Sequence, residues 1–289
     1  MPYAFILNPT AGTGFAKQAM NQVAGILDEW KKKYTILETN GPGNATGIAA
    51  DLAGDSGIDA VIAVGGDGTA SEVAAGLAGT GKAMGIIPAG TGNDFIKTVR
   101  IPKDPAAAMK FIFDRPPRAV DTGTINERFF LNVCGTGFDV TVLECAEEKK
   151  KKYRGLTPYF LGLLQAIRVY APSGLEITYN GQTRNGEYLV CSIANGKIIG
   201  GGIPICPAAD VHDGLLDLVM IRNVPRWKIP FYLPGLMMSK DLGFKITEHI
   251  RTQEITIRGP GLKFNIDGEI ERMNEARFVI KPGSLKLIC

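Results

Sequence analysis

Cysteine and histidine are scarce in this chain of 289 residues, and their scarcity argues against several kinds of site. The five cysteines are odd in number and form no C-x-x-C pair. We therefore expect reduced thiols and a cytoplasmic protein. Only two histidines are present, His212 and His249, and so few imidazoles make a zinc site unexpected.

Long apolar runs and a strong charge of either sign are also missing. The apolar stretch IPFYLPGLMM (229–238) contains prolines and is too short to span a bilayer. The amino-terminal residues lack the basic and apolar segments of a signal peptide. A net charge of +3 is too small to indicate a nucleic-acid-binding protein. We expect a soluble protein with no nucleic-acid partner, although clustered positive charge could still bind an anionic surface.

The first part of the chain, residues 1–121, alternates short apolar runs with amphipathic segments. YAFILN (3–8) and DAVIAV (59–64) are typical of buried strands, and KQAMNQVAGILDEWKKK (17–33) is typical of a helix. This alternation predicts an α/β domain with a parallel, Rossmann-like sheet covered by helices. Ligands of such sheets bind beyond the carboxyl ends of the strands.

From residue 122 onward the pattern changes to β-branched and aromatic runs separated by turn-forming residues. Runs of this kind predict antiparallel strands, and two helices are expected to interrupt them, around 139–170 and 226–241. We predict a second domain over residues 122–289 that is mainly an antiparallel β-sandwich. Its last strand could return to the first domain.

Three glycine-rich loops in the first part follow one design, in which a strand is followed by small residues and then a helix. They are NPTAGTG (8–14), GGDGT (65–69) and PAGTGND (88–94). Glycine lets backbone N–H groups approach a phosphate closely, and the helix that follows adds a favourable potential. Because all three loops should open on the same edge of a parallel sheet, they predict nucleotide or phosphate binding.

Acidic side chains accompany these loops. Asp67 lies inside the second loop, Asp94 ends the third, and Asp121 follows at the predicted domain junction. A carboxylate near phosphates is tolerable when a divalent cation lies between them, so the three carboxylates could gather around one metal. Asp94 could instead be only a helix N-cap, and Asp121 an ordinary turn residue.

The loops also carry a family resemblance. GGDGT with Glu72 and PAGTGNDF (88–95) strongly resemble the diacylglycerol kinase catalytic-domain family, which includes bacterial lipid kinases and sphingosine kinases and is distantly related to NAD kinases. The similarity covers essentially the whole chain. The other matching motifs, in the same order, are NPTAG (8–12), TNGPGNA (39–45), DTG (121–123), GTGFD (135–139), ANG (194–196), GGG (200–202) and DGE (267–269).

The resemblance implies an α/β nucleotide-binding domain followed by a β-sandwich, with ATP and magnesium in the cleft between them. It also implies phosphorylation of a lipid hydroxyl, with diacylglycerol converted to phosphatidic acid as the first expectation. Some members of the family dimerise, so a homodimer is compatible with it. The residues it places around the nucleotide and its metal are Asn8, Thr10, Thr39, Gly65, Gly66, Asp67, Gly68, Thr69, Glu72, Gly90, Thr91, Asn93, Asp94 and Asp121.

This chain departs from the family pattern beside two of the loops. Family members often have Asn where this chain has Ser71, and Ala-Arg where it has Ile96 and Lys97. These positions bear on nucleotide affinity and preference, not on the reaction class. The alternatives are a kinase for a sphingoid base, another glycerolipid or NAD, and a catalytically silent lipid- or nucleotide-binding regulator. The intact DGE motif argues against the last.

A pair of carboxylates near the end of the chain is the predicted catalytic group. If 262–269 runs as a strand, Asp267 and Glu269 project from the same face, because side chains alternate along a strand. One carboxylate could then accept the proton of the substrate hydroxyl while the other holds position or charge. Asp267 is the candidate base. Asp-Gly between apolar runs is, however, also a strong hairpin-turn signal.

A second metal is a weaker expectation. The resemblance implies a structural magnesium near Asp213, with backbone carbonyls close to Asp210 and Leu215 as further ligands. Asp213 is followed by glycine, so a turn explains it equally well.

Two stretches combine basic, aromatic and leucine residues, as membrane-binding segments do. They are EEKKKKYRGLTPYFLGLLQAI (147–167), which contains the Lys149–Lys152 cluster, and VPRWKIPFYLPGLMM (224–238). Either could bind a membrane surface peripherally and present the protein to a lipid substrate. The alternative is a solvated basic face over ordinary core residues.

Overall fold

The computed structural model describes residues 2–150, 152–153, 157–237 and 246–289, which form two compact units. The first unit runs to Thr122 and also contains Val211–Gly214 and Lys281–Cys289. The second contains the described residues of Gly123–Asp210 and Leu215–Ile280. The carboxyl-terminal residues therefore belong to the first unit, although the strand that leads to them begins in the second.

The first unit alternates strands and helices in the order that the apolar pattern predicts. Its elements are β1 (Tyr3–Leu7), a 3-10 turn (Ala11–Gly14), α1 (Phe15–Glu29), β2 (Tyr34–Glu38), α2 (Asn44–Ala53), β3 (Ala60–Gly65), α3 (Asp67–Leu77), β4 (Ala83–Pro88), α4 (Asp94–Thr98), α5 (Pro105–Asp114) and the start of β5 (Pro117–Ile125).

Strands β2, β1, β3 and β4 lie side by side in that order, and each neighbouring pair is parallel. Lys286 and Leu287, from the end of the chain, pair in parallel with the start of β4. Every residue of β1 and β3 is buried, as expected for strands that are covered on both faces. Because the strands share one direction, the segments after β1, β3 and β4 leave the sheet at the same edge.

The second unit is mainly antiparallel. Its elements are the end of β5, β6 (Arg128–Phe130), β7 (Val133–Gly137), α6 (Phe138–Lys150), α7 (Thr157–Val169), β8 (Gly174–Tyr179), β9 (Gln182–Ala194), β10 (Leu216–Arg222), a 3-10 turn (Arg226–Lys228), α8 (Ile229–Met237), β11 (Thr247–Thr252), β12 (Glu254–Ile266) and most of β13 (Glu269–Ile288).

Antiparallel pairing joins β11, β10, β9, β7, β12 and β13 in that order, and β8 pairs with both β9 and β12. In the apolar core, the aromatic ring of Phe278 contacts the rings of both Phe130 and Phe264. Their burial contributes several kcal/mol, on the order of 2 kcal/mol for each ring. These contacts link β6, β12 and β13 through their side chains.

Three features differ from what the sequence predicts. The helical region around 139–170 contains two helices, α6 and α7. EITIRG and LKFNID form one strand, β12, whose register shifts between Arg258 and Leu262. The predicted strand over 262–269 is wrong, since β12 ends at Ile266 and β13 begins at Glu269. No helix among the described residues is both long and apolar enough to cross a bilayer.

Candidate functional site

The three glycine-rich loops of the first unit pack directly against one another. A Cβ atom at Gly12 would lie 2.2 Å from the Ala89 carbonyl oxygen, and one at Gly90 would lie 2.4 Å from Gly66 Cα. Real Cβ atoms do not approach other atoms so closely, so glycine is required at both positions. The prediction that these loops meet at one edge of the sheet is confirmed by these contacts.

Asn8 links the first loop to the second. Its Nδ2 atom donates to Thr69 Oγ1 (3.1 Å), while its Oδ1 atom accepts hydrogen bonds from the backbone N–H and hydroxyl of Thr10. Thr69 is buried and packs against Gly65, where a Cβ atom would lie 2.4 Å from the threonine hydroxyl oxygen. These contacts fix the start of α3 relative to β1.

Gly68 differs from the other glycines of the second and third loops because a Cβ atom there would contact nothing within 4 Å. Gly68 lies in the first turn of α3 and is exposed, so the space next to it is open to a ligand. The first N–H groups of an α-helix have no partner inside the helix. The beginning of α3 can therefore donate hydrogen bonds to an anion.

Asp67 has a structural role that the sequence did not reveal. Its Oδ1 atom accepts hydrogen bonds from the backbone N–H groups of Asp94 (2.7 Å) and Phe95 (3.1 Å). Asp67 thus ties the second loop to the third. The alternative that Asp94 caps its own helix is wrong, because Asn93 occupies the N-cap position and Asp67 supplies the acceptor.

Asn93 closes the third loop on itself. Its side-chain oxygen accepts from the Gly90 N–H (3.0 Å) and its amide donates to the Gly90 carbonyl (2.7 Å). The backbone of Asn93 has a φ of 49°, a left-handed conformation that asparagine tolerates better than most residues. Thr91 is exposed at the tip of the loop.

Asp67 and Asp94 place carboxylate oxygens on the same side of Gly92. A Cβ atom at Gly92 would lie 3.0 Å from Asp67 Oδ2 and 3.6 Å from Asp94 Oδ2, so the two oxygens are near neighbours. Mg²⁺ is commonly bound by one or two carboxylates together with substrate phosphates, and this pair fits such an ion. The neighbouring cation is Lys97, whose ammonium lies 2.7 Å from Asp94 Oδ1.

Glu72 orders the loop after β2. Its carboxylate accepts hydrogen bonds from the backbone N–H groups of Gly43 (2.9 Å) and Ala45 (3.1 Å), at the start of α2. Thr39 begins this loop and donates its N–H to the Leu7 carbonyl. Glu72 therefore fixes the start of α2, and with it the loop that follows β2.

Asp121 is buried, and backbone groups of the first unit occupy its carboxylate. Oδ2 accepts from the Gly214 N–H and Oδ1 from the Gly283 N–H, both at 2.7 Å. These bonds hold the returning segments 211–214 and 281–289 against β5. Asp121 thus has a structural role, and its part in nucleotide binding stays a prediction.

Asp267 lies in the second unit, in the two-residue turn between β12 and β13. Both turn residues have positive φ, 48° for Asp267 and 102° for Gly268, as in the tight hairpin turns that Asp-Gly favours. The Asp267 carboxylate accepts three backbone hydrogen bonds, from Leu131 (2.7 Å), Asn132 (2.9 Å) and Val133 (3.2 Å). These donors fix the position of the carboxylate. The turn and an anchored carboxylate are therefore both present.

Glu269 has different partners. Its carboxylate is exposed and forms an ion pair with Arg128, which also pairs with Glu271. Because the chain turns between Asp267 and Glu269, the alternation expected for a continuous strand does not apply. A shared face for the two carboxylates is therefore not supported by strand geometry, and the role of Glu269 stays a prediction.

The predicted ligands of a structural metal lie in the segment that connects β9 to β10. Asp210 is exposed, whereas Asp213 and Leu215 are half-buried. Gly214, between them, has a φ of 71°, so a turn is present at this position. The metal itself stays a prediction.

Asp139 is a further candidate residue. From the sequence it belongs to the GTGFD motif but is assigned no role of its own. A Cβ atom at Gly135 would lie 3.0 Å from Asp139 Oδ2 and 3.2 Å from Ser192 Oγ, so these two polar groups meet inside the second unit. Among the residues that the structure describes, neither Asp139 Oδ1 nor Ser192 Oγ has a hydrogen-bond partner. Burial raises the pKa of Asp139 to about 6, and the backbone N–H groups of Val140 and Asp139 act in the opposite direction.

We expect Asp139→Asn to stabilise the protein above about pH 6. A raised pKa means that the wild type loses stability as the pH rises from about 4, where the unfolded chain ionises, to about 6, where the folded carboxyl does. A shift of about 2 units corresponds to a gain of up to ~3 kcal/mol for the variant at pH 8 and none below about pH 4. Urea unfolding across this pH range measures the difference.

The matched control is Asp51→Asn, which makes the same chemical change at an exposed position of α2. It should show no comparable gain in the free energy of unfolding. An Asp139→Asn variant that is less stable than the wild type at pH 8 would contradict the conclusion that burial destabilises the ionised Asp139 carboxyl.

Comparison with known families agrees with this architecture. The family model described as "Diacylglycerol kinase catalytic domain" matches residues 2–125. The model described as "YegS C-terminal NAD kinase beta sandwich-like domain" matches residues 132–289. The chain therefore belongs to the diacylglycerol kinase family, with a β-sandwich carboxyl-terminal domain, and it is a kinase.

Individual relatives give the same result. "Probable lipid kinase YegS-like" from Pseudomonas aeruginosa strain UCBPP-PA14 is 36% identical over 208 residues, which are 71% of this chain and 67% of that one. "Diacylglycerol kinase" from Mycobacterium tuberculosis strain H37Rv is 29% identical over 291 residues, with 98% and 93% of the two chains covered. The crystal structure of a diacylglycerol kinase from Bacillus anthracis strain Sterne has a TM-score of 0.76 at 25% identity, covering 99% and 96%.

Proposed function

We propose that this protein is an ATP- and Mg²⁺-dependent lipid kinase that transfers the γ-phosphate to a lipid hydroxyl, with diacylglycerol as the acceptor and phosphatidic acid as the product. The observation that carries the proposal is the packing of the three glycine loops against one another, with open space beside Gly68 at the start of α3. Family membership supports it, because relatives are named lipid kinases and diacylglycerol kinases. The parallel sheet of the first unit is then a Rossmann-like nucleotide-binding sheet.

In this proposal the first unit binds the triphosphate. The backbone of the 8–14, 65–69 and 88–94 loops donates hydrogen bonds to phosphate oxygens, and the start of α3 adds its favourable potential. Asp67 and Asp94 would hold Mg²⁺, which neutralises charge that develops on the transferring phosphoryl group. Glu72 and Asn93 act indirectly, by keeping the loop backbones in position.

Asp267 is proposed to accept the proton of the acceptor hydroxyl. The hydroxyl oxygen bonds to the γ-phosphorus, the bond from that phosphorus to the β-γ bridging oxygen breaks, ADP leaves, and the proton passes to the carboxylate. Three backbone donors fix the position of the Asp267 carboxylate, and phosphoryl transfer depends chiefly on such positioning of the reacting groups. The chemistry requires Asp267 and the γ-phosphate to come together during turnover.

A surface of the second unit supports a lipid acceptor. Phe160 and Leu164 are one turn apart on α7, and Trp227 and Phe231 are one turn apart around the start of α8. All four are exposed, Trp227 and Phe231 by 68% and 66%. The two segments are adjacent, since Arg226 donates to the Arg168 carbonyl at the end of α7.

Exposed aromatic and leucine side chains next to Arg226 and Lys228 fit shallow insertion into an anionic membrane surface. We therefore propose peripheral membrane association of a cytoplasmic protein through this apolar surface. The predicted Lys149–Lys152 cluster lies partly outside the described residues. Residues 154–156 of the 147–167 stretch and residue 238 of the 224–238 stretch also lie outside them. A structural Mg²⁺ at Asp213, with carbonyls near Asp210 and Leu215, and a homodimer are further proposals from the family.

Replacing both Trp227 and Phe231 with Ala is expected to weaken binding to vesicles that contain phosphatidylglycerol. Each truncation removes about 1 to 1.5 kcal/mol of apolar transfer free energy, so the partition coefficient should fall about 30- to 150-fold. Sedimentation with sucrose-loaded vesicles measures it. Phe113→Ala, at an aromatic residue that is 41% exposed in the first unit, is the control and should bind normally. Equal binding by the double variant would exclude this surface.

The test of the proposed function is transfer of label from γ-labelled ATP to a panel of acceptors. Diacylglycerol, sphingosine, phosphatidylglycerol and NAD are each supplied with Mg²⁺ and separately with excess chelator. We expect Mg²⁺-dependent label in phosphatidic acid. Label in NAD without any lipid would establish the soluble-acceptor alternative, and tight nucleotide binding without transfer to any acceptor would establish the silent regulator.

A further inference from the structure

Three potential metal ligands converge in the second unit, in a cluster formed by Cys206, Asp217 and His249. Their Sγ, carboxylate oxygen and imidazole nitrogen atoms all lie within 4.8 Å of one another. His249 Nε2 is 2.5 Å from Asp217 Oδ1 and 3.7 Å from Cys206 Sγ. None of the three belongs to the glycine loops or to the DGE turn.

Regular structure places two of these residues. Asp217 lies on β10 and His249 on the neighbouring antiparallel strand β11, where Val219 pairs with His249 and Asp217 pairs with Arg251. Asp217 and His249 are therefore diagonal neighbours on the two strands. Cys206 lies in the segment between β9 and β10, and its backbone bonds to Lys197 and Ala209 hold it in a turn.

The Asp217 carboxylate has an oxygen that is available to bind an ion. Asp217 is 1% exposed, and within the described part of the chain its Oδ2 atom has no hydrogen-bond partner. A buried carboxylate oxygen without a partner is costly, and such a group in a native protein usually serves a purpose. The His249 side chain is 35% exposed, so the cluster has a path to solvent along which an ion can enter.

The geometry differs from that of a Cys-His-Asp nucleophile. In such a triad the thiol and the carboxylate bind opposite nitrogens of the imidazole, so that a proton can be relayed. Here both Cys206 and Asp217 face the same atom, His249 Nε2. Three ligand atoms within 4.8 Å of one another suit a coordination site better than a proton relay.

The surroundings of the thiol suit a cation. The Asp217 carboxylate lies beside Cys206, and the backbone N–H groups of Ala208 and Ala209 form hydrogen bonds with its sulfur. A divalent cation would supply the positive charge that lets a thiolate and a carboxylate lie side by side, and the two N–H groups would then donate to the metal-bound sulfur.

We propose that Cys206, Asp217 and His249 form a Zn²⁺ site with one sulfur, one oxygen and one nitrogen ligand and a water in the fourth position. Thiolate and imidazole ligands select zinc over Mg²⁺ and Ca²⁺. Tetrahedral zinc with ordinary bond lengths separates its sulfur and nitrogen ligands by about 3.6 Å and its nitrogen and oxygen ligands by about 3.4 Å. The observed 3.7 Å between Cys206 and His249 already matches the first value.

Zinc binding then requires one local change. The direct hydrogen bond between His249 and Asp217 must open by about 1 Å to reach the ligand spacing. Arg251, whose Nε atom lies 3.9 Å from Asp217 Oδ1, is 47% exposed and can turn towards solvent as the ion enters. From the sequence, two histidines are considered too few for a zinc site. One histidine is sufficient here, because a cysteine and an aspartate supply the other protein ligands.

Cobalt substitution tests the proposal on the full chain. Co²⁺ bound to a thiolate gives a sulfur-to-metal charge-transfer band in the near ultraviolet, and zinc added afterwards should abolish the band by displacement. We expect one Co²⁺ per wild-type chain with this band. The band should be absent in Cys206→Ser, and the affinity for Zn²⁺ should fall about 100-fold or more in His249→Gln, since even partners outside the first coordination sphere contribute 10- to 100-fold.

The matched controls are Cys289→Ser and His212→Gln, which remove the same chemical groups away from the cluster and should bind like the wild type. His249 lies on β11 and is partly exposed, so His249→Gln keeps the test decisive if Cys206→Ser does not fold, as judged by circular dichroism. A wild-type protein without the charge-transfer band, or His249→Gln with unchanged Zn²⁺ affinity, would overturn the proposal.

Discussion

Asp267→Asn is expected to lower kcat for lipid phosphorylation about 1,000-fold, within the range of 10²- to 10⁴-fold that a positioned general base contributes. The amide cannot accept the hydroxyl proton, while the phosphate loops of the first unit are unchanged. The apparent affinity for ATP should therefore stay close to that of the wild type. Initial rates of label transfer to diacylglycerol, with ATP varied, separate the two quantities.

A structural explanation for such a loss must be tested in the same experiment. Asp267 holds the backbone of residues 131–133, and replacing one carboxylate oxygen with an amide group costs about 1 to 3 kcal/mol of stability. Asp104→Asn is the matched control, because Asp104 also accepts a backbone hydrogen bond, from Ala107, but lies away from the proposed chemistry. It should lose stability and keep its kcat. A folded Asp267→Asn protein with wild-type turnover would exclude Asp267 as the base.

Gly90→Ala is expected to abolish most nucleotide binding and to destabilise the first unit. The new methyl group would lie 2.4 Å from Gly66 Cα and 2.9 Å from Asn93 Oδ1. Gly66 Cα is a backbone atom, so it cannot move away as easily as the end of a flexible side chain. Overpacking of this kind costs about 1 to 3 kcal/mol. If displacement of the loop weakens ATP binding by about 2 kcal/mol of this strain, ATP affinity falls roughly 30-fold. Calorimetric titration with an ATP analogue and urea unfolding measure the two effects.

Two other glycines sharpen this experiment. Gly25→Ala, in open space on α1, should raise helix stability by up to about 1 kcal/mol and leave ATP binding unchanged. Gly68→Ala should leave the free energy of unfolding nearly unchanged but weaken ATP binding, because its methyl group would fill the space proposed for phosphate. Equal ATP affinity in Gly68→Ala and the wild type would show that the triphosphate lies elsewhere.

The loops of the first unit could be predicted from sequence because the residues that determine them are close together in the chain. A buried strand, a glycine cluster and a helix follow one another within a few residues, and parallel strands bring such segments to one edge without further information. The partners of Asp67 could not be predicted, since its acceptor role depends on N–H groups 27 and 28 residues away. Glu72 likewise reaches residues 43 and 45.

The carboxyl-terminal carboxylates illustrate the opposite limit. Two equally good local patterns, a continuous strand and an Asp-Gly hairpin, fit the DGE segment, and the register of β12 against β13 decides for the hairpin. The anchoring of Asp267 by residues 131–133 spans more than 130 positions of the chain. The Cys206, Asp217 and His249 cluster depends on strand pairing in the same way, so neither arrangement is visible in spacing alone.

The most direct test of the account is a crystal structure of the full chain with Mg²⁺, a non-hydrolysable ATP analogue and a diacylglycerol. We predict that the triphosphate contacts the backbone of the 65–69 and 88–94 loops and that the Asp267 carboxylate lies within about 6 Å of the γ-phosphorus, the reach of one bridging hydroxyl. A triphosphate seated on the loops with Asp267 more than about 10 Å from the γ-phosphorus, beyond such a bridge, would contradict it.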